Sequence, residues 1–229
     1  MATMRYQGWL TWVTLALATV FVPMAVDTKP APIDFSNQVE QALTLVNPSL
    51  KSTKQTQKKE TSANETPIES IVQGQTLSRT YYYQFAADVP TSVQTVFERA
   101  VRIYNQTGLV KLVAGTATEK QNSVTFFTYA KQMSSENQSL IESGHGGPKI
   151  IQQTGWGAYT ANHARAGLNV YYPQSSIKLS VAVHELGHAV GLDHSSSRLS
   201  VMYPVDQGVS SLSQGDLNAL KTIYGEATN

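Results

Sequence analysis

Three of the five histidines in this sequence lie between His184 and His194, and a glutamate directly follows the first of them. His184 and His188 are four residues apart, so on a helix their side chains share one face with Cβ atoms about 5–6 Å apart. Zinc in catalytic sites is commonly held by three protein ligands, with a fourth position left for water. The spacing therefore predicts a catalytic zinc site formed by His184, His188 and His194.

Gly191 and Glu185 complete this pattern. Glycine tolerates the left-handed backbone of a helix end, so Gly191 lets the chain turn and bring His194 from another direction. Zinc lowers the pKa of a bound water to about 7. Glu185 is adjacent to the first ligand and points beside the metal, within reach of that water. We therefore predict that Glu185 is the general base of peptide-bond hydrolysis and later protonates the departing amine.

The helix predicted to carry these residues runs from Ile177 to Val190 and is apolar on nearly every face except for the histidines and Glu185. That composition is typical of a buried helix. A single buried histidine is usually a hydrogen-bonded core residue, but the long motif with its glutamate and glycine favours ligands. The chain contains no cysteine, so only histidine and carboxylate ligands are available for a transition metal.

Elements upstream of this helix indicate a mixed α/β domain. Apolar residues recur at helical spacing from Val93 to Tyr104. Strands are predicted at residues 81–85, 110–113, 124–129, 155–164 and 168–172. Strands that alternate with a helix favour crossover connections and a largely parallel sheet. The glycine-rich stretch from Gly144 to Pro148 is predicted to be a loop.

The string HELGHAVGLDHS at residues 184–195, followed by Val-Met-Tyr-Pro at 201–204, resembles the metzincin zinc motif and its Met-turn. Within metzincins the sequence is similar to the matrixins, the matrix-metalloproteinase-like group, and residues 211–225 resemble their closing helix. The resemblance implies an α+β, zincin-like fold. It has a twisted, mixed and mostly parallel five-stranded sheet and three helices, and the active-site helix is followed by the Met-turn.

The resemblance also implies roles for single residues. Met202 corresponds to the apolar floor beneath the zinc, although ordinary core packing explains a buried methionine equally well. Pro204 corresponds to a wall of the main specificity pocket, where Asp206 replaces the tyrosine usual two residues later. Asp216 would anchor the last helix to the Met-turn, and residues 161–164 resemble the edge strand that binds substrate.

Several departures from the matrixin pattern affect regulation and metal content. The absence of cysteine excludes the thiol latch that blocks zinc in matrixin zymogens. Gly215 replaces an aspartate that usually pairs with the freed amino terminus. No Asp or Glu lies between Glu142 and Glu185, where relatives gather calcium ligands. We therefore expect one catalytic zinc and no strong calcium site there, and we count neither His145 nor His163 as a ligand.

The chain divides into three predicted regions. Residues 1–26 carry Arg5 and an apolar run from residue 9 to 26, typical of a signal peptide or an N-terminal membrane anchor. A cleaved signal and a retained tether are both compatible with this run of about 18 residues, and we favour the tether. Residues 27–76 are predicted to be a polar, disordered linker, and residues 77–229 the metallopeptidase domain. Either N-terminal arrangement places the domain outside the cell.

The sequence thus predicts an exported zinc endopeptidase that acts on proteins or peptides. The alternative is a zinc-stabilised binding or adhesion domain without turnover, and a further possibility is a zincin of another branch acting on cell-wall peptides or peptide signals. The formal charge of +1 gives no indication of a nucleic-acid partner. Neither the substrate sequence nor the oligomeric state is specified by the residues.

Overall fold

A computed structural model describes residues 18–23, 65–133 and 140–225 of the chain. In this part of the chain the strands are β1 Ala18–Pro23, β2 Thr80–Phe85, β3 Lys111–Ala114, β4 Asn122–Tyr129, β5 Leu140–Gly147, β6 Ile150–Gln153 and β7 Tyr159–Asn169. The helices are α1 Thr91–Gln106, α2 Pro173–Ser176, α3 Leu179–Ala189 and α4 Gln214–Tyr224.

The strands form a mixed sheet in the order β1-β5-β7-β4-β2-β3. Strands β2, β3, β4 and β7 are parallel to their neighbours within this group, whereas β5 pairs antiparallel with β7 and β1 pairs antiparallel with β5. Strand β6 pairs antiparallel with the first half of β7. The predicted mixed, mostly parallel sheet is therefore confirmed, with β1 and β6 added to a group of five strands.

The core lies where α1 and α3 pack on the sheet. Helix α1 is amphipathic, and its apolar positions, which include Phe97 and Tyr104, are buried. The Phe97 ring stacks on Phe126 of β4 with 4.3 Å between centroids. The Tyr104 hydroxyl donates to the Val183 carbonyl of α3 at 3.0 Å. These contacts hold α3 in a fixed position relative to the sheet.

The glycine-rich stretch 144–148 differs from its prediction as a loop, because residues 144–147 form the end of strand β5. Glycines in a strand interior mark close approach of another group. Here that group is Glu185 of α3, whose Oε1 would lie 2.3 Å from a Cβ added at Gly144. These glycines thus allow close packing of β5 against Glu185, and they do not form a turn.

Strand β7 also differs from expectation. Residues 155–164 and 168–172 were predicted as two strands, but the structure has one strand of 11 residues, Tyr159–Asn169. Residues 161–164, which resemble an edge strand in sequence, lie in this interior strand. The prediction that residues 161–164 form an edge strand is therefore wrong, because β7 has partners along both sides. Strand β5 instead lies next to the outermost strand β1.

The N-terminal region is described only in part. Residues 18–23, within the predicted signal or anchor, form β1 and pair with β5. Among the described residues, no helix is both long and apolar enough to cross a membrane. Residues 1–17 and 24–64, which include most of the predicted linker, lie outside the described residues.

Residues 66–75 belong to the folded unit, although the predicted linker extends to residue 76. Ile68 forms a β-bridge with Leu192. The Asp193 amide donates to the Pro67 carbonyl at 2.9 Å, and the Val72 side chain is buried. We call residues 66–75 the docked segment. Ordered structure therefore begins upstream of the predicted domain boundary at Leu77.

Candidate metal centre

Helix α3 and the turn after it bring the three predicted histidines together. The His184 and His188 rings lie one helical turn apart with 4.7 Å between centroids. Gly191 then adopts a φ of 105°, and the chain reverses so that the His194 ring lies 4.8 Å from the His188 ring. One nitrogen from each of the three histidines lies within 4.8 Å of the others. Zinc binds imidazole nitrogens at about 2.0–2.1 Å, so a group this close can share one ion.

The hydrogen bonds of the first two histidines define which nitrogens face the centre of this group. His184 Nδ1 lies 2.7 Å from the Val201 carbonyl oxygen, and His188 Nδ1 lies 2.9 Å from the Leu192 carbonyl oxygen. A carbonyl can only accept, so each Nδ1 carries the proton and each Nε2 presents a lone pair. The two Nε2 atoms are 3.0 Å apart. Two lone pairs at this distance repel each other unless a cation lies between them. Two histidines that share one metal ion have this arrangement.

The pKa shifts of the three histidine rings favour the neutral form, which is the form that binds a metal. Burial lowers the pKa of His188 to about 3 and lowers the pKa of His184 well below its usual value. Burial also lowers the pKa of His194, whose buried Nε2 has no hydrogen-bond partner. Metal ligation needs neutral imidazole. The residues present therefore fit a zinc ion on protonation state as well as on position.

Glu185 is fully buried beside the first histidine. Neither of its carboxylate oxygens has a hydrogen-bond partner, although buried polar groups are nearly always paired. Burial, and secondarily the Glu142 carboxylate, raises the pKa of Glu185 well above its usual value. The glycine face of β5 receives this side chain, since a Cβ at Gly146 would lie 2.9 Å from Glu185 Oε2. A carboxylate that has no protein partner can still pair with a water or a substrate group once that group reaches it.

Met202 lies against the helix that bears the ligands. Its side chain is fully buried, and a Cβ at Gly187 would lie 2.4 Å from Met202 Sδ. The Met202 carbonyl accepts from the Ser195 amide at 2.9 Å, next to His194. Met202 therefore packs between α3 and the segment that delivers the third histidine.

A small cavity opens beside His184 and is lined by Ser180, Val181, Tyr203, Val205, Asp206 and Val209, among others. Tyr203 and Val205 flank Pro204 in sequence, and the role of Pro204 as a pocket wall stays a prediction. Asp206 forms an ion pair with Lys178 at 3.3 Å. Asp206 is the residue that the matrixin resemblance sets against a tyrosine, and here it brings an ion pair to the lining of the cavity.

Asp216 connects three parts of the chain. Its Oδ1 accepts from the Ser200 hydroxyl at 2.6 Å, next to the Met-turn, and from the Thr66 hydroxyl of the docked segment at 2.5 Å. Its Oδ2 accepts from the Ser213 amide at 2.8 Å and completes the capping box of α4. The resemblance implied the bond towards the Met-turn but not the bond to Thr66.

Glu69 is a residue of this site that the sequence did not reveal. Its Oε1 lies 3.1 Å from His188 Nδ1, and burial raises the pKa of Glu69 to about 7. It stands 119 positions before His188 in a polar stretch, where no local pattern marks it. Of the remaining histidines, His163 contacts the Glu119 carbonyl at 3.0 Å and His145 lies on β5. Among the described residues, neither belongs to the group of three close histidines that could hold a metal ion.

Comparison with known proteins places this geometry in a family. The matrixin family pattern matches residues 90–225, which is more than half of the chain. The chain belongs to the matrixin family. The predicted resemblance is therefore confirmed, and the folded unit is a matrixin zinc metallopeptidase domain.

Individual matrixin relatives match over shorter stretches. Matrilysin from Felis catus is 48% identical over 52 residues, which are 21% of this chain and 20% of that protein. Macrophage metalloelastase from Oryctolagus cuniculus is 45% identical over 49 residues, 20% of this chain and 11% of that protein. Interstitial collagenase from Sus scrofa is 45% identical over 51 residues, with 21% and 11% covered. The matches thus span a fifth or less of each relative.

Among solved structures, the chain is similar to high choriolytic enzyme 1, a hatching enzyme zinc-protease from Oryzias latipes. That alignment has a TM-score of 0.40 and 11% identity, and it covers 72% of this chain and 96% of the other.

Proposed function

We propose that this matrixin is a zinc-dependent endopeptidase that hydrolyses peptide bonds in proteins or peptides. The observation that carries the proposal is the pair of Nε2 lone pairs held 3.0 Å apart beside the unpartnered carboxylate of Glu185. A binding domain needs the metal only for stability. It has no reason to keep a buried carboxylate without a partner next to that metal, because burial of such a group is costly.

Each residue of the site has a defined task in this proposal. His184, His188 and His194 would hold zinc, which when bound polarises the scissile carbonyl and acidifies a water molecule. Glu185 takes the proton of the attacking water and returns it to the leaving amine. Burial raises its pKa, which makes the carboxylate a stronger base than an exposed glutamate. Met202 packs against Gly187 of α3 and so supports the helix that carries His184 and His188.

Strand β5 is the proposed site of substrate binding. It is adjacent to the outermost strand, and its glycines lie against Glu185. An extended peptide can add to an exposed sheet edge through backbone hydrogen bonds. In the full chain β1 forms that outer pairing, from Ala18 opposite Gly146 to Pro23 opposite Leu140. A peptide substrate would therefore take the place of β1.

We further propose that the enzyme acts outside the cell, as a secreted or membrane-tethered protein, in which residues 18–23 would leave the pairing with β5 that the full chain shows. The basic head and apolar run of residues 1–26 support this location. Residues 27–64 would connect that region to the domain. One zinc per chain is expected. No strong calcium site is expected between Glu142 and Glu185, because no acidic residue lies there.

The experiment uses the purified full chain, an unfolded protein substrate, and parallel incubations with and without a zinc chelator. We expect chelator-sensitive fragments from the wild type. Glu185→Gln should retain one zinc per chain yet lose at least about 100-fold in kcat, because it removes the base and not a ligand. His188→Ala should lose both zinc and activity.

The matched control is His163→Ala, which removes a histidine outside the metal group and should leave zinc content and cleavage unchanged. Wild-type turnover by Glu185→Gln would refute the mechanism. A wild-type chain with full zinc occupancy and no cleavage of any protein or peptide would instead favour the binding-domain alternative.

A further inference from the structure

The docked segment is attached to the turn that connects His188 to His194. The Glu69 amide donates to the Gly191 carbonyl at 2.9 Å, and the Asp193 amide donates to the Pro67 carbonyl at 2.9 Å. The bond from Thr66 to Asp216 holds the start of the segment. The two backbone bonds at Pro67 and Glu69 fix the chain at Glu69 itself, so its side chain is delivered to one place, whereas the Thr66 bond anchors the segment three residues earlier.

That place is the outer nitrogen of the second histidine. The Glu69 side chain is 5% exposed, and its Oε1 lies 3.1 Å from Nδ1 of the fully buried His188. Nδ1 and Nε2 point away from each other on an imidazole ring. Glu69 therefore contacts the side of His188 that faces away from the metal centre, and it is not itself placed as a ligand.

The chemistry of this contact affects the opposite side of the ring. A carboxylate that accepts from Nδ1–H fixes the tautomer, restricts rotation of the ring and makes Nε2 a stronger donor to a metal. The Leu192 carbonyl, 2.9 Å from the same nitrogen, fixes the tautomer but brings no charge. His184 has only a carbonyl, that of Val201, on its Nδ1. His188 thus has a carboxyl group beside its Nδ1, whereas the Nδ1 of His184 contacts a backbone carbonyl.

We propose that Glu69 is a positioning residue that strengthens zinc binding through His188. The proposal rests on the proposed zinc site and adds a part of it that lies upstream of the matrixin match at residues 90–225. It makes the docked segment part of the metal centre and not a spacer.

A purely structural role for Glu69 predicts a different outcome, and matched variants separate the two. Glu69→Gln keeps the length of the side chain and an oxygen that can accept from Nδ1–H, but it removes the charge. Glu69→Ala removes the contact. Thr66→Val removes a hydrogen bond of the same docked segment, at Asp216, without altering any atom at His188.

The test measures the zinc dissociation constant of each full-length variant by competition with a chromophoric chelator, together with thermal unfolding. We expect zinc to bind about 10- to 100-fold more weakly to Glu69→Ala. Glu69→Gln should lie between Glu69→Ala and the wild type. Thr66→Val should lower the unfolding temperature and leave the dissociation constant within about 2-fold, since it acts on docking alone.

The visible absorption of cobalt(II) bound in place of zinc provides a second readout. Its bands report the donor strength of the three histidines, so they should shift in Glu69→Gln and stay unchanged in Thr66→Val. An unchanged dissociation constant in both Glu69 variants would overturn the proposal. Equal weakening by Thr66→Val would do so as well, because docking would then explain the effect. A wild type that binds no zinc would instead refute the proposed function itself.

Discussion

Gly144→Ala tests whether the glycine face of β5 sets the position of the Glu185 carboxylate, the proposed general base. A Cβ at Gly144 would lie 2.3 Å from Glu185 Oε1 and 2.6 Å from its Cγ and Cδ. Non-bonded heavy atoms settle at roughly 3.5 Å, so the carboxylate must move by about 1 Å. A displacement of about 1 Å at a catalytic group can lower the rate about 100-fold. The three nearest atoms all belong to Glu185, so zinc content should not change.

The assay measures kcat/KM, zinc content and thermal stability of Gly144→Ala. We expect about a 100-fold loss of kcat/KM at full zinc occupancy and a destabilisation of about 1–3 kcal/mol from overpacking. In a Glu185→Ala background the overlap disappears, so adding Gly144→Ala should then cost almost no stability. The reasoning fails if Gly144→Ala turns over like the wild type, or if its stability cost persists without the Glu185 side chain.

Two further predictions concern pH and the N-terminal strand. A histidine in the unfolded chain binds a proton below its usual pKa of 6.5, whereas folded His188, with a pKa of about 3, stays neutral. At His188 the unfolded state thus binds more protons between these values, so the His188 contribution to the free energy of unfolding of the zinc-free protein should fall as pH falls. The raised pKa values of Glu69 and Glu185 contribute in the opposite sense over this range. From pH 7 to pH 5 the His188 contribution is about 2 kcal/mol. Denaturant titrations of the zinc-free Glu69→Gln/Glu185→Gln double variant at pH 7, 6 and 5 measure this without the two opposing carboxyls, and equal stability of that variant at all three pH values would contradict it. Removal of residues 1–24 should lower KM for peptide substrates by about 5- to 10-fold, which corresponds to β1 occupying the β5 edge in about 80–90% of molecules. Steady-state kinetics at one zinc per chain measure this change. An unchanged KM would show that β1 does not compete with substrate.

The sequence predicted the clustering of the three histidines because these residues follow one another closely. His184 and His188 share a helix face, and Gly191 marks where that helix must end. The turn geometry between His188 and His194 is local, and local geometry is what residue spacing encodes.

The strand content around residue 144 was harder to predict, because glycine usually signals a turn. The residue that explains Gly144 is Glu185, 41 positions later and on a helix that packs across the strand. Glu69 was missed for a related reason. Its partner His188 is distant in sequence, and a glutamate within a polar stretch carries no sign of burial. Contacts between distant residues leave no periodicity that one sequence can show.

The two N-terminal contacts of this matrixin have different consequences for proteolytic trimming. Strand β1 ends at Pro23, whereas the docked segment begins at Thr66. A cut anywhere in residues 24–64 would separate β1 from the domain and leave Thr66 and Glu69 in place. A six-residue strand that is no longer covalently attached loses the high effective concentration that favours its pairing. A single cut there would therefore release the edge of β5, while a cut a few residues beyond Thr66 would remove a partner of His188.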